Sequence, residues 1–409
     1  MTAGGTSQRG RVIVAGGSIA GLFAGVLLHR QGFAVDVFER SGEALASRGA
    51  GIVPHPELFE ALAQAGATLD ETIGVPVVGR ITLNRDGTVL GRHPLPQVMM
   101  SWDRLYRLLR EALPDARYHA GSAIEAFDQD DEGVAVRLAD GRRVGADWLI
   151  GADGIRSTIR RQLLPDLEPA YAGYVAWRGL IDESAMSAAA RAVLGDRLAF
   201  CLPAGEQMLG YPVPGADEAI VPGRRRYNVV WYRPADEAAG LPRLLTGRDG
   251  RRHDLSVPPG QVEPEAVAAL RADAQALLAP CCAEVVLLTD APFIQAIYDL
   301  ESPRLVFGRV ILIGDAAFVA RPHAGMGVTK AGLDALSLAP ALAAADPAAA
   351  LADWEHRRLR YGRAVIERTR RLGAYLSEPA RAREEWPAVV KDLATTLMIE
   401  TAISGWLRA

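Results

Sequence analysis

Residues 16–21 read Gly-Gly-Ser-Ile-Ala-Gly, directly after the β-branched run Arg11–Ala15 and before a segment of helical character, Leu22 to Gln31. The two end glycines have separate jobs in such a turn. Gly16 permits the tight reversal, and Gly21 lets the helix pack closely on the strand. The first helical turn, with Ser18, Ile19 and Ala20, offers free backbone N–H groups to a pyrophosphate. Gly32 ends the helix, Phe33 to Phe38 forms a second strand, and Glu39-Arg40 close it. Glu39 is the residue type that accepts hydrogen bonds from a ribose at this distance along a βαβ unit. Ser18 replaces the middle glycine of the usual G-x-G-x-x-G pattern, narrowing the approach to the pyrophosphate without closing it. Strand, turn, helix and acid together predict a dinucleotide here; the alternative is a tight βα turn with no ligand.

Two later clusters repeat the device. Asp147-Trp-Leu-Ile-Gly151-Ala-Asp153-Gly154 runs an apolar strand into a polar-capped helix through Arg160. Arg309-Val-Ile-Leu-Ile-Gly314-Asp315 is followed by Arg321-Pro322-His323-Ala-Gly325-Met326-Gly327, and a helix is predicted from about Val328 through Leu338, stopped by Pro340. Ligands in open α/β sheets bind beyond the carboxyl ends of strands, so three such ends point to one site. Asp153 or Asp315 alone would more often be a helix cap. In this order, with Gly154 and Gly314 beside them, they read as ligand contacts.

The ordered trio resembles the aromatic-ring flavoprotein hydroxylases, the single-component FAD monooxygenases of para-hydroxybenzoate hydroxylase fold. Residues 16–21 look like their FAD fingerprint. Ile150 to Arg160 is similar to the Asp-Gly motif that serves FAD and nicotinamide, and Gly314-Asp315 through Gly327 to the segment that holds the ribityl chain and covers the flavin ring. Gly51-Ile52-Val-Pro-His55-Pro, Pro169 to Gly179, Tyr211-Pro-Val-Pro-Gly215 and Arg321-Pro322-His323 look like the 2,6-dihydroxypyridine 3-hydroxylase branch. Three departures stand out. Phe318 and Thr329 occupy positions where many members have His and Asn, and Trp102 stands where an Arg commonly opens a helix; Arg48 or Arg104 could take over its diphosphate contact, with a solvated loop residue the equal alternative for Arg48.

The resemblance implies that FAD is bound, that NAD(P)H reduces it, and that a flavin C4a-hydroperoxide formed with O2 delivers oxygen to an electron-rich ring. The protein then has to exclude water and assist deprotonation of a ring hydroxyl. His323, after Pro322, and His55, after the turn ending at Gly51, are the polar candidates beside the flavin. Tyr211 could hydrogen-bond the substrate, though a packed core tyrosine is the equal alternative. Arg178 could neutralise an anionic substrate, or form a surface ion pair.

The elements that must position these residues read as α/β: a Rossmann-like FAD-binding domain (residues 1–74, 101–170 and 286–345), an inserted mixed β-sheet substrate domain, and C-terminal helices over 346–409. The insert comprises a hairpin over 75–100, with its turn at Asn84-Arg-Asp86-Gly87, and the strand-rich stretch 171–285. An Ala-rich helix is expected over Gln261–Leu278. Asp346-Pro347 reads as cap and first position of a helix reaching about Leu376. The tail after Ser377 is a homodimer element or packs on its own domain.

The chain has 409 residues, a net charge of −4, 49% hydrophobic and 23% charged residues. This mixed, slightly acidic balance argues against nucleic acid or an anionic membrane as partner. Three cysteines, two of them adjacent, form no disulfide framework and lack zinc-site spacing, so no metal is expected and the chain reads as cytoplasmic. The seven Trp residues do not form a halogenase Trp-x-Trp segment. A NAD-dependent dehydrogenase would explain only the first βαβ unit, and a non-catalytic FAD-binding regulator is the remaining rival.

Overall fold

The computed structural model describes residues 9–43, 45, 51–70 and 72–408. The β-branched runs of the three motifs become neighbouring strands of one six-stranded sheet. Its order is β17 (Val306–Phe307), β18 (Val310–Leu312), β10 (Trp148–Gly151), β1 (Arg11–Ala15), β2 (Ala34–Phe38) and β6 (Tyr118–His119). All neighbours are parallel except the edge hairpin β17–β18. Parallel strands are covered on both faces and need apolar residues throughout; Val12, Val14, Val35, Leu149 and Ile311 are accordingly buried. Helices α1 (Ile19–Arg30), α2 (Pro56–Gln64), α3 (Trp102–Ala112) and α9 (Gly327–Leu342) pack together on this unit. A meander of β7 (Ile124–Gln129), β8 (Val134–Leu138) and β9 (Arg143–Ala146) precedes β10, and α4 (Thr158–Leu163) follows it.

The second sheet is mixed. It runs β15 (Ser256–Val257), β16 (Phe293–Glu301), β11 (Ala170–Asp182), β14 (Arg226–Pro234), β13 (Gln207–Val213), β12 (Arg197–Cys201), β4 (Val75–Leu83), β5 (Val89–Ser101) and β3 (Gly51–Ile52), with β19 (Phe318–Val319) pairing β16. The predicted hairpin is β4–β5. Side chains alternate between faces. Tyr227, Val229 and Trp231 join the core under α5 (Ala188–Leu194), α7 (Pro264–Leu277) and α8 (Pro280–Leu287). Val230 and Tyr232, with Tyr174, Leu209 and Tyr211, point to the opposite face, towards α10 (Pro347–Ser377) and α11 (Pro379–Glu400). Short α6 (Gly240–Leu244) lies in the loop after β14.

Two details differ from the sequence expectation. Helix α9 carries Pro340 inside its last turn and continues to Leu342; a proline this near the C-terminus removes one helical bond without stopping the chain. Helix α7 starts at Pro264, where a proline suits the first turn. β11 is a 13-residue strand with a register shift between Tyr171 and Val175. Asp346 caps α10 as expected, accepting from Ala349 N–H at 3.1 Å. Helix α11 buries Ala394, Leu397 and Met398 against the second sheet of its own chain.

Candidate active site

The three motif strands end side by side. Ala15 pairs with Gly151, and Gly151 with Leu312. Gly16 has φ +99°, and a Cβ there would lie 2.5 Å from the Ala152 carbonyl oxygen. A Cβ on Gly21 would fall 1.8 Å from the Gly16 carbonyl oxygen. Gly314 (φ +59°) approaches Ala20, where an added Cβ would be 2.6 Å away. Its N–H donates to Asp334 of α9 at 3.0 Å, and Arg358 pairs with that carboxylate.

Helices α3, α4, α5 and α10 are capped by side chains of Ser101, Ser157, Ser187 and Asp346. Helices α1 and α9 differ: no side chain caps them and no acid stands in their first turns, although neither begins with proline. Their unpaired N–H groups and positive dipole ends suit an anionic, elongated ligand. With the close glycine approaches, these termini fit FAD. Ser18, Ile19, Ala20 and Gly21 would face its diphosphate, and Gly327 would open the second terminus to its ring.

Glu39 is buried, and its carboxylate accepts from Gly17 N–H and Ser41 N–H, each at 2.8 Å. That orients it while leaving lone pairs for ribose hydroxyls. Tyr118, a residue the motif reading passed over, donates to the Gly17 carbonyl at 3.2 Å and lies under the Arg110 guanidinium. Arg40 is exposed, and Arg48 lies outside the described residues. Asp315 is open to solvent yet sits deep enough that its carboxyl is raised above the usual range. No protein hydrogen bond to it is seen among the described residues, which leaves it free for a ligand hydroxyl.

Asp153 is different. It accepts from Thr158 N–H at 2.7 Å, Ile159 N–H at 3.2 Å and the Ser157 hydroxyl, so it anchors the start of α4 beside Gly154. The capping role that the motif argument set aside is the one its side chain performs. Arg160 is buried and spans two motifs: it donates to Ile155 O in the second and to Ala316 O, at 3.2 Å, in the third. Trp102 stacks on Tyr106 with ring centroids 5.1 Å apart. Arg104 and Arg107 both pair with Glu218 from the β13–β14 loop, so Arg104 is already committed within the protein. Met326 is buried in a small core cluster with Ala324 and Val365, which leaves only its backbone for a cofactor. Pro322 and Gly327 are exposed.

The proposed catalytic side chains converge on the turn 322–325 and the strand at Gly51. Gly51 N–H donates to Asn228 Oδ1 at 3.1 Å, and a Cβ on Gly51 would lie 2.5 Å from the Tyr211 ring. Tyr211 and Asn228 are direct cross-strand partners. Burial raises the Tyr211 phenol, and the Arg178 charge partly opposes this. Arg178 is half-buried and donates to Gln295 at 2.9 Å. His55 is buried, with Nδ1 2.9 Å from Thr329 Oγ1, and burial lowers its pKa to about 4. Thr329 therefore has a partner of its own in this chain. Phe318, the other departure, packs into the core against Gly362.

His323 lies on the turn itself. Its ring sits 4.8 Å from that of Tyr232, and its Nε2 is 2.7 Å from the Tyr174 hydroxyl. Ala402 N–H donates to the His323 carbonyl at 3.1 Å, and Gln97 donates to the Ala402 carbonyl at 3.3 Å. The C-terminal segment thus clamps the turn. A cavity of about 510 Å³ lies beside it, lined in part by His55, Phe59, Gln97, Ala402 and Ser404. Tyr174, Asn228, Gln97 and residues 401–405 belong to this region and were not in the sequence-derived set; Tyr174 lies inside the 169–179 stretch but was not singled out there, and the others lie on strands without a motif or beyond every motif.

The fold and these contacts define a flavoprotein hydroxylase, and the chain belongs to the FAD-dependent aromatic monooxygenases. It is 36% identical to 2,6-dihydroxypyridine 3-monooxygenase of Paenarthrobacter nicotinovorans over 372 residues, 90% of this chain and 91% of that protein. It superposes on the structure of 2,6-dihydroxypyridine-3-hydroxylase from Arthrobacter nicotinovorans with a TM-score of 0.86 and 34% identity, covering 91% of this chain and 94% of that one. A Klebsiella pneumoniae HpxO variant complexed with FAD matches with a TM-score of 0.74 and 25% identity, over 96% of this chain and 99% of that one. A family model described as FAD binding domain-like matches residues 171–299. The protein is an FAD-binding aromatic-ring monooxygenase. Among the described residues, no helix is long and apolar enough to cross a membrane.

Proposed function

We propose that the protein uses NAD(P)H and O2 to hydroxylate a small aromatic or heteroaromatic ring of hydroxypyridine type. When bound, FAD would supply the redox chemistry that couples NAD(P)H and O2 to oxygenation of the ring. Gly16 to Gly21, Glu39, Asp315, Gly51-Ile52 and the turn 322–327 are the residues that would hold that cofactor. Tyr211, Asn228 and Tyr232 form the wall against which the substrate lies. His323 lies on the turn that would cover the flavin and His55 packs beside it, and both stay neutral at ordinary pH because burial lowers their pKa values to about 3 and about 4. Neutral imidazoles and phenols make a site suited to a flat polar ring, and their apolar surroundings keep water away.

The observation that carries this reading is the buried group Tyr174, Tyr211, Tyr232, Asn228 and His323 gathered at Gly51 and the 322–325 turn. The 2,6-dihydroxypyridine monooxygenase relative supports the ring class. The test is a panel of hydroxypyridines and phenols scored by NAD(P)H consumption and product mass. The purified protein is expected to be yellow, and at least one hydroxypyridine is expected to accelerate NAD(P)H oxidation about tenfold or more, as effector-like stabilisation of roughly 1.4 kcal/mol would give. A protein that cannot be loaded with FAD, or one indifferent to every ring, would sink the proposal.

A further inference from the structure

The clamp on the turn 322–325 begins at a buried cation. Arg80 of β4 is 1% exposed, and no carboxylate pairs with it among the described residues. Its Nη1 donates to the Met398 carbonyl at 2.9 Å, in the last turn of α11, where a helix dipole favours a cation. Its Nη2 lies 2.7 Å from the Gln97 side chain on the neighbouring strand β5. Guanidinium groups only donate, so the atom met there is the amide oxygen, and the orientation of the Gln97 amide follows. The Gln97 NH2 group is thereby turned to the Ala402 carbonyl, 3.3 Å away.

Ala402 is held at both ends, since its N–H donates to the His323 carbonyl at 3.1 Å. It is buried, with φ +49°, a left-handed conformation that an alanine keeps only where its surroundings impose it. Its methyl stands over Gly325: a Cβ on that glycine, itself at φ +64°, would lie 3.0 Å from it. On its other side Ala402 lines the cavity of about 510 Å³, together with Gln97, Phe59 and Ser404. Pro56, Pro96 and Gly405 line the same cavity and are exposed, so water reaches it. One strained residue stands between that water and the turn.

We infer that Gln97 is a positioning residue for the reaction: oriented by Arg80, it locks Ala402 across the turn 322–325 and seals the ring site from the cavity. What the turn would cover, and what losing the seal costs, rest on the proposed function; the lock does not. A loosened turn admits water and lets the oxidising equivalents escape before they reach the ring. NAD(P)H, O2 and a proton then leave as NAD(P)+ and hydrogen peroxide, with the ring unchanged.

The test is hydrogen exchange of the FAD-loaded protein, read at the peptides spanning 321–326 and 399–405. Gln97→Glu keeps an oxygen for Arg80, and that guanidinium keeps the new carboxylate ionised, so no donor remains for the Ala402 carbonyl. The amides of Ala402 and Gly325, bonded to His323 and Pro322, are expected to exchange about tenfold faster. Helix α1 is expected to exchange as before, and the urea midpoint not to fall. Gln97→Met also strips Arg80 of its acceptor, and is expected to show the same local gain with a lowered midpoint. With the best ring substrate, Gln97→Glu is expected to release about threefold more peroxide per NAD(P)H, with KM little changed. Exchange at the two amides that is unchanged in Gln97→Glu, or raised equally along the whole chain, overturns the inference; so does local release with no rise in peroxide. Exchange is read without turnover, so failure of every ring substrate would remove the proposed function and leave the lock standing.

Discussion

Gly21→Ala is expected to yield a colourless protein of reduced stability. The new methyl would sit 1.8 Å from the Gly16 carbonyl oxygen, which is backbone and cannot swing aside. Relief requires α1 to slide off β1, and overpacking of this kind costs about 1–3 kcal/mol or more. The same slide moves the uncapped N-terminus away from the diphosphate, so FAD affinity is expected to fall about 100-fold, equivalent to roughly 3 kcal/mol. Flavin titration by fluorescence quenching and urea unfolding of the apoprotein read the two effects separately. Tight FAD binding by Gly21→Ala would remove this turn from the cofactor site.

Arg160→Met is expected to produce the second large effect. Methionine keeps length and apolar bulk but leaves the carbonyls of Ile155 and Ala316 without their donor in a buried setting. Each unpaired group costs about 1–3 kcal/mol. The stability loss is therefore expected at about 2–4 kcal/mol, as for other broken buried networks. The Arg160 charge also acts on Asp153 and Asp315, so its removal loosens the acid that stands free for the cofactor. Apoprotein unfolding and FAD dissociation rates are the measurements. Unchanged values in both would show that the two motifs are held together by other contacts.

Both sites show what a sequence can and cannot display. The Gly16–Gly21 turn was legible because backbone that must come within van der Waals contact of backbone admits only glycine, and the strand and helix periods flank it. The hairpin at Asn84–Gly87 and the Asp346 cap were legible for the same reason: local geometry demands particular residues. His55 and His323 were singled out by adjacency to segments that the family resemblance places at a flavin.

Arg160 lay within a quoted motif, yet its partner Ala316 is 156 positions away, and nothing local marks that bond. Tyr174 alternates with core residues on β11 and looks like one of them. The one signal that could have exposed it is Gly373, a glycine inside an otherwise Ala- and Arg-rich helix, where a Cβ would lie 2.8 Å from the Tyr174 hydroxyl. Asp153 taught the converse lesson, since a motif acid can spend its side chain on a helix terminus. Arg104, one of two arginines that could compensate for Trp102, is held by Glu218 from a loop that no pattern predicts.

The central claim is that this chain transfers an oxygen atom from O2 to a hydroxypyridine-like ring at an FAD site. Turnover of the ring that best stimulates NAD(P)H oxidation, run under heavy-isotope dioxygen, tests it most directly. Mass spectrometry is expected to show a product that has gained one labelled oxygen, in step with NAD(P)H consumed. NAD(P)H oxidation that yields only hydrogen peroxide with every ring, or product oxygen that comes from water, would contradict the account.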